Sequence, residues 1–268
     1  MENAGYVHGH HESVLRSHEW RTVDNSAHYL IPRLHGGLDI LDVGSGPGTI
    51  SVDLAERVAP GRVVGVDAAE SVVLKARELA ESRGLRNVRF VTGDAYSLPF
   101  EDDTFDIAHA HQVLQHVADP VAVLREMARV VKPGGLVAAR DVDYGGAIWF
   151  PANDGLAEWK SVYDQVHRSG GGEPDAGRRL MSWARAAGLD DVAASGSLWA
   201  FTSDEERAWW GGLWADRALQ SEFATRAVDS GIADDAALQR IAEAWRTWAR
   251  DSDAWFSFPH GEIIATVH

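Results

Sequence analysis

The stretch Leu41-Asp42-Val43-Gly44-Ser45-Gly46-Pro47-Gly48 decides the fold. The strand-like run Asp39–Val43 passes directly into this glycine-rich turn, and a helical pattern follows over about Thr49–Val58. Glycines let the backbone approach a ligand closely, and the free N–H groups at the start of the next helix favour a carboxylate or phosphate. The stretch therefore predicts a small-molecule pocket where a strand turns into a helix.

Short strands and helices alternate on either side of this turn. The further strand-like runs are Arg62–Val66, Asn87–Val91, Thr104–His109 and Gly135–Val142, and the helical patterns are Ser71–Arg83 and Pro120–Val131. Gly84 would cap the first of these helices, and Lys132–Gly135 would end the second. This alternation is typical of a parallel sheet covered by helices, whose ligands bind beyond the carboxyl ends of the strands.

The chain changes in composition near residue 145, since ten of its eleven tryptophans lie between Trp149 and Trp255. Two more strand-like runs, Val192–Phe201 and Phe256–Val267, flank a helical insertion over about residues 203–252. We predict one domain over residues 1–268. It comprises an N-terminal helical lid at 1–35, a cofactor-binding core at 36–145 and a substrate-side half at 146–268.

The N-terminal addition shows a helical pattern of its own. Trp20, Val23, Ala27 and Leu30 fall on one face of a helix over this region. Together with the late helical insertion, this segment predicts a lid over the pocket.

Composition and charge exclude several classes of protein. The 268 residues, 45% hydrophobic and 24% charged, are typical of a globular chain. A net charge of −15 repels phosphate backbones and anionic lipid surfaces, so we expect neither nucleic acid nor membrane as a partner. The absence of cysteine excludes disulfides and thiolate catalysis. With no long apolar run and no signal-like N-terminus, we expect a cytoplasmic protein. A homodimer is possible.

Two aspartates mark the next two strand ends. Asp67 follows the second strand, where a carboxylate would accept both hydroxyl hydrogens of a ribose. Asp94 follows the third strand and would accept from an adenine amino group. Each has a simpler alternative, a helix N-cap for Asp67 and a turn residue for Asp94. Taken with the glycine turn, the two acidic strand ends favour a nucleoside ligand.

The glycine spacing separates two kinds of nucleoside-binding protein. A dinucleotide-binding turn has the spacing Gly-x-Gly-x-x-Gly, whereas Gly44, Gly46 and Gly48 follow Gly-x-Gly-x-Gly. An NAD-dependent oxidoreductase, the alternative enzyme class, would also leave Gly93 and Asp94 unexplained.

The sequence resembles the class I S-adenosylmethionine-dependent methyltransferases, especially the small-molecule branch that includes the ubiquinone and menaquinone biosynthesis enzymes. The motifs that carry this resemblance are Ile40–Gly48, Val64–Asp67, Gly93–Ala95, Leu98–Phe100, Phe105–Asp106 and Lys132–Gly135. The resemblance implies an α/β, Rossmann-like three-layer sandwich. Its seven-stranded, mostly parallel sheet would have an antiparallel last strand and helical lid insertions.

The resemblance also implies which residues bind S-adenosylmethionine. Gly44, Ser45, Gly46 and Gly48 would surround the methionine moiety, and Asp42 would approach its amino group. Asp67 would hold the ribose, and Ala68 would flank the adenine. The remaining cofactor residues would be Gly93, Asp94, Ala95, His111, Gln112, Tyr6 and Arg21.

The methyl acceptor is predicted to be a small, apolar or aromatic molecule, because the tryptophans of the second half could line an apolar pocket. The segment after the fourth strand also lacks the motif that nucleic-acid amino-methylating enzymes of this class carry, which argues against a nucleic-acid acceptor. If O- or C-methylation needs a base, His116 and His111 are the candidates, since histidine titrates near neutral pH. Both could instead pack or cap a helix. The candidate substrate-binding residues are Trp20, Asp141, Tyr144, Trp149 and Trp210.

The N-terminal histidines and the cofactor motif each allow a second interpretation. The run His8-Gly9-His10-His11 could bind a metal, but no further ligand stands at a firm spacing, so we predict no metal site. A catalytically silent S-adenosylmethionine-binding protein remains an alternative to the enzyme, because the cofactor motif is common to both.

Overall fold

The computed structural model describes residues 20–268. Five parallel strands form the part of the sheet that carries the glycine turn, in the spatial order β3-β2-β1-β4-β5. Their bounds are β1 (Asp39–Val43), β2 (Arg62–Asp67), β3 (Val88–Thr92), β4 (Phe105–His111) and β5 (Val131–Val142). The carboxyl ends of β1, β2, β3 and β4 therefore lie at one edge, as the sequence predicts.

Three later strands extend this sheet. They are β6 (Ile148–Phe150), β7 (Val192–Phe201) and β8 (Trp255–Thr266). The last strand, β8, runs antiparallel to β5 on one side and to β7 on the other, and the short β6 pairs with β8 beyond the end of β5. Seven strands thus lie across the sheet with β6 as an extension. The predicted mostly parallel sheet with an antiparallel last strand is confirmed.

Helices cover both faces of the parallel strands because alternate residues of each strand point to opposite sides. Leu41 and Val43 pack with helices α4 (Pro120–Arg129) and α6 (Leu180–Ala186). Ile40, which precedes Leu41, packs on the other face with helix α2 (Thr49–Val58). Helix α3 (Glu70–Ser82) lies beside α2 and buries Val73 and Ala76 against Phe90. This is the three-layer arrangement that the resemblance implies.

The sequence predicts that Lys132–Gly135 ends a helix, but the structure places this segment within strand β5. Helix α4 already ends at Arg129, and β5 begins at Val131, which pairs with Phe105. The pairing shifts register between Phe105 and Ile107, so the proline and glycines lie within the strand segment at this irregularity.

A cluster of aromatic side chains forms the core of the second half. It joins the late strands to helices α5 (Asp154–Ser169), α7 (Asp204–Gln220), α8 (Glu222–Asp229) and α9 (Asp235–Arg250). Trp159, Trp214 and Trp245 are fully buried, with the Trp159 ring edge-on to both others at 4.7 and 4.9 Å. Most tryptophans of this half therefore pack helices rather than meet a ligand.

The predicted N-terminal helix is interrupted. Helix α1 spans only Val23–Ser26, capped by Thr22, and a 3₁₀ helix follows over His28–Arg33. Ala27 between them leaves the helical conformation at φ −139°, and Pro32 lies inside the 3₁₀ turn. Val23, Ala27 and Leu30 are nevertheless fully buried, because both short helices turn the same apolar side to the sheet and α2. Across residues 20–268, no helix is both long and apolar enough to cross a membrane.

Candidate active site

The glycine turn follows β1 and leads into α2. Gly44 has φ +67°, and a side chain there would place its Cβ 2.4 Å from a methyl carbon of Val113. Gly48 has φ +87°, and its Cβ would lie 2.8 Å from the Phe90 ring. Both positions lie in the left-handed region that favours glycine, so the path of this turn requires these residues.

Asp67 ends β2 and binds two backbone groups with its carboxylate. One oxygen accepts from the N–H of Gly46 and the other from the N–H of Ala69, both at 3.0 Å. The bond to Ala69 forms an Asx turn before α3. This is close to the alternative prediction that Asp67 caps this helix, although Ala69 itself occupies the N-cap position. Each carboxylate oxygen accepts more than one hydrogen bond, so Asp67 still has capacity for two ribose hydroxyls.

Asp42 lies beneath the glycine turn and is held by other side chains. One of its oxygens accepts from Nδ1 of His109 at 2.9 Å, and the other accepts from the hydroxyl of Ser51. Asp42 is 2% exposed and still borders the cavity described below. His109 and Ser51 therefore fix the orientation of this carboxylate. A ligand amino group could bind only to the lone pairs that remain on its two oxygens.

Asp94 follows β3 and forms the turn that the simpler alternative predicts. Its carboxylate accepts from the N–H of Tyr96 at 2.9 Å, and its carbonyl accepts from the N–H of Ser97. The side chain is exposed and lies at the cavity wall beside Ala95. The turn role and a ligand role are compatible at this position.

A cavity of about 380 Å³ connects these strand ends to the aromatic half of the molecule. Most of the predicted site residues line it. These are Trp20, Arg21, Asp42, Gly44, Ser45, Gly46, Asp67, Ala68, Gly93, Asp94, Ala95, His111, Gln112, His116, Tyr144 and Trp210. Residues that are far apart in the sequence thus meet in one space.

Three predicted residues do not line the cavity. Gly48 lies behind the turn, against Phe90 and Ala76. Asp141 is fully buried and accepts from the N–H groups of Leu114 and Gln115 at 3.2 and 3.3 Å. Trp149 packs on the outside of the aromatic core. Tyr6 and the run His8–His11 lie outside the described residues, and no metal-binding cluster of histidine, aspartate and glutamate occurs among residues 20–268.

Gln112 connects the N-terminal segment to the last strand. Its side-chain oxygen accepts from the Arg21 guanidinium at 2.6 Å, which leaves its NH₂ group to donate to Nε2 of His260 at 2.9 Å. Gln112 itself has φ +54°, an uncommon conformation outside glycine. Arg21 and His260 thus fix both ends of an amide that borders the cavity.

The two candidate bases are neutral near pH 7. Burial lowers the pKa of His111 and that of His116 well below 6.5, with a smaller contribution to both from the positive charge of Arg21. His111 lies beside the rings of Trp199 and His260, at 5.8 and 6.3 Å. His116 stacks on His167 at 5.0 Å. Each imidazole is therefore in the form that can accept a proton.

The far end of the cavity is lined by aromatic side chains from distant segments. Trp20 lies 5.0 Å from Trp199 and 5.5 Å from Trp209, and Trp210 stacks on Phe201 at 4.2 Å. The indole N–H of Trp199 donates to the carbonyl of Asn25 at 2.7 Å, which ties the N-terminal segment to β7.

Several cavity residues were not selected from the sequence, among them Gln115, Arg217 and Phe258. Arg217 follows Trp210 and Trp214 at the spacing i, i+4, i+7, so it shares their helix face, and this spacing was an available signal. Phe258 alternates with Phe256 along β8, which the sequence also shows. Nothing in the sequence distinguishes Gln115.

A family model described as a methyltransferase domain matches residues 34–188, which include the glycine turn and the acidic strand ends. The chain belongs to the S-adenosylmethionine-dependent methyltransferases. S-Adenosylmethionine is the methyl donor, as the sequence predicts, and the assignment decides against the NAD-dependent oxidoreductase.

Individual relatives agree with the family. This methyltransferase is 36% identical over 270 residues to an uncharacterised methyltransferase of Schizosaccharomyces pombe, covering 97% of this chain and 95% of that protein. It is 35% identical to a demethylmenaquinone methyltransferase of Listeria welshimeri over 137 residues, 51% of this chain and 54% of the relative. The YcgJ protein of Bacillus subtilis shares its fold, with a TM-score of 0.58, 23% identity and coverage of 91% and 98% of the two chains.

The residues around the cavity fit the methyl donor chemically. Asp67 and Asp94 at adjacent strand ends offer carboxylate acceptors for hydroxyl and amino groups. The turn at Gly44–Gly46 brings backbone close to the cavity beside them, where a methionine moiety would follow the nucleoside. Gln112 and His111 then border the space between this turn and the aromatic end.

Proposed function

We propose that this methyltransferase transfers the methyl group of S-adenosylmethionine to a small, apolar or aromatic molecule, by O- or C-methylation. One observation carries the proposal: a single cavity runs from the acidic strand ends to a wall of aromatic side chains. A ligand at that wall would lie next to Gln112 and His111, which border the glycine turn.

The aromatic wall supports an apolar acceptor. Trp20, Trp199, Trp209, Trp210 and Phe258 all line the cavity, and flat rings of this kind bind flat apolar ligands by stacking and by burial of apolar area. Trp20 belongs to the N-terminal segment and Trp209 to helix α7. The acceptor would therefore be enclosed between two additions to the sheet, which serve as the lid.

The charges around the wall favour a neutral or anionic acceptor over an ammonium ion. Aromatic walls also bind cations, so the neighbouring charges decide between these ligands. Arg21 and Arg217 border the cavity on the aromatic side, while the carboxylates of Asp42, Asp67 and Asp94 are at the strand ends. A second cation beside the arginines and the sulfonium would be repelled, which supports an oxygen or carbon acceptor.

The neutral histidines would receive the acceptor proton. S-Adenosylmethionine, when bound, supplies a methyl group attached to a positively charged sulfur. Transfer of this methyl group would leave the sulfur as a neutral thioether. His116 and His111 border the same cavity and are uncharged near pH 7 because of burial, so the unprotonated nitrogen of either imidazole can take up the proton of a hydroxyl group or an acidic carbon. Alignment and exclusion of water by the aromatic lid lower the remaining barrier.

A ligand series followed by an acceptor screen tests the proposal. We expect S-adenosylmethionine and S-adenosylhomocysteine to raise the melting temperature, and NAD and NADP to leave it unchanged, because only a ligand of the native state stabilises it. Formation of S-adenosylhomocysteine is then measured with matched phenols, carbon acids and amines of similar size. Turnover of phenols or carbon acids supports the proposal, and turnover of amines alone contradicts it.

A further inference from the structure

We propose that the side-chain amide of Gln115 binds a hydroxyl group of the methyl acceptor and so selects hydroxylated acceptors. The proposal rests on the proposed function, since it concerns the same aromatic end of the cavity. Gln115 lines that cavity and is only 2% exposed.

The backbone of Gln115 is fixed from three sides. Its N–H donates to Asp141 at 3.3 Å. Its carbonyl accepts from Nε2 of His167 at 2.7 Å and from the N–H of Glu173 at 2.8 Å. Asp141 also accepts from the neighbouring N–H of Leu114, so the whole turn between β4 and α4 is held in place. The side chain therefore starts from a rigid position at the cavity wall.

The amide of this side chain is not used by the fold. Its Oε1 is buried, and within residues 20–268 nothing donates a hydrogen bond to it. A buried carbonyl oxygen without a donor is destabilising, so such atoms need an explanation. The cavity is the adjacent space in which a donor could lie, and the last torsion of a glutamine is broad enough to turn the oxygen towards it.

The surroundings determine which ligand group fits. Tyr144, Trp210 and Phe258 line the same cavity as Gln115, so an aromatic acceptor there has rings to pack against. A hydroxyl group can donate to Oε1 or accept from the NH₂ of the same amide. His116 follows directly in the chain and lines the same cavity, which would place the bound hydroxyl beside a neutral imidazole.

The first test uses the free protein without any acceptor. Gln115→Met keeps the length of the side chain and removes the unpaired amide, and Gln165→Met is the control for an exposed glutamine. We expect the melting temperature of Gln115→Met to equal or exceed that of the unaltered protein, because the fold gains nothing from the amide. A drop of several degrees, absent in the control, would show a structural amide and overturn the proposal.

The second test measures acceptor selection on protein saturated with S-adenosylhomocysteine. The probes are 2-naphthol and 2-methylnaphthalene, which differ in the hydroxyl group, and binding is followed by calorimetry. We expect the unaltered protein and Gln165→Met to prefer 2-naphthol by about tenfold, and Gln115→Met to lose this preference with unchanged affinity for S-adenosylhomocysteine. An undiminished preference in Gln115→Met would overturn the proposal.

The two tests separate this proposal from the proposed function. If the saturated protein binds neither naphthalene, the aromatic acceptor is contradicted, and the selection of its hydroxyl group by Gln115 is contradicted with it. If both probes bind equally well, the aromatic acceptor stands and the role of Gln115 is refuted.

Discussion

One oxygen of the Asp67 carboxylate accepts a hydrogen bond from the backbone N–H of Gly46, at 3.0 Å. This bond joins the end of β2 to the glycine turn after β1, and the other oxygen anchors the start of α3 through Ala69. The residue expected to hold the ribose therefore also fixes the turn expected to surround the methionine moiety. Loss of this carboxylate would disturb both halves of the donor site together.

Asp67→Ala should weaken the binding of S-adenosylmethionine and S-adenosylhomocysteine by about a hundredfold, because charge-assisted hydrogen bonds contribute about 1.5–3 kcal/mol each. Calorimetric titration of the purified variant measures this. Asp102→Ala is the control, since that side chain is 72% exposed and pairs with Arg129 on the surface. Equal donor affinities in the Asp67 variant and the unaltered protein would refute the ribose assignment.

Trp20→Ala should weaken acceptor binding by about tenfold and leave donor affinity unchanged, since the Trp20 ring contacts Trp199, Phe201 and Trp209. The comparison variant is Trp255→Ala, because Trp255 is 43% exposed, close to the 37% of Trp20, and is not among the cavity residues. KM for the acceptor found by screening is the quantity to compare. Similar KM values for both variants would show that Trp20 does not close the acceptor site.

Local patterns predicted the donor half of the molecule well. Strand β1 and helix α2 have the bounds that the sequence indicates, because strand alternation and glycine turns are encoded within a few neighbouring residues. The donor site follows from them, since parallel strands necessarily bring Gly44, Asp67 and Asp94 to one edge.

The positions of the side chains in the acceptor half depend on tertiary packing, which local sequence patterns do not encode. Asp141 and Tyr144 are only three residues apart, yet Asp141 is buried under the turn at Gln115 while Tyr144 borders the cavity. Helix α5, absent from the sequence-based prediction, places His167 behind that turn. Only the assembled segments show which buried polar side chain lacks a hydrogen-bond partner among the described residues.

His116→Gln should lower kcat by about 10²- to 10⁴-fold if His116 is the base, and His111→Gln distinguishes the second candidate. Because burial keeps the pKa of His116 well below 6.5, the unaltered enzyme should hold a constant rate from pH 8 down to 6.5 and lose activity only in more acidic buffer. The pH profile of kcat/KM on the screened acceptor shows this. A midpoint at or above 6.5 would contradict the lowered pKa of the base, and a rate preserved in both variants would exclude these histidines as the base.

His167 should make the fold sensitive to acid. Burial lowers its pKa to about 4 from 6.5, so between these values the unfolded chain binds a proton that the folded chain does not. The free energy of unfolding should therefore decrease as pH falls from 6.5 to 4, by up to about 3 kcal/mol from this residue. Urea titrations at several pH values measure the change.

A variant comparison isolates this contribution from other titrating groups. Burial also lowers the pKa values of His111, His116 and His260, which adds to the acid sensitivity. Burial raises the pKa of Asp141 to about 7, so its contribution to stability is lost as pH rises through 7, the opposite direction. His167→Gln leaves the burial of these four groups in place and should show a shallower loss of stability between pH 6.5 and 4. If the variant and the unaltered protein lose stability in parallel, the acid sensitivity does not come from His167.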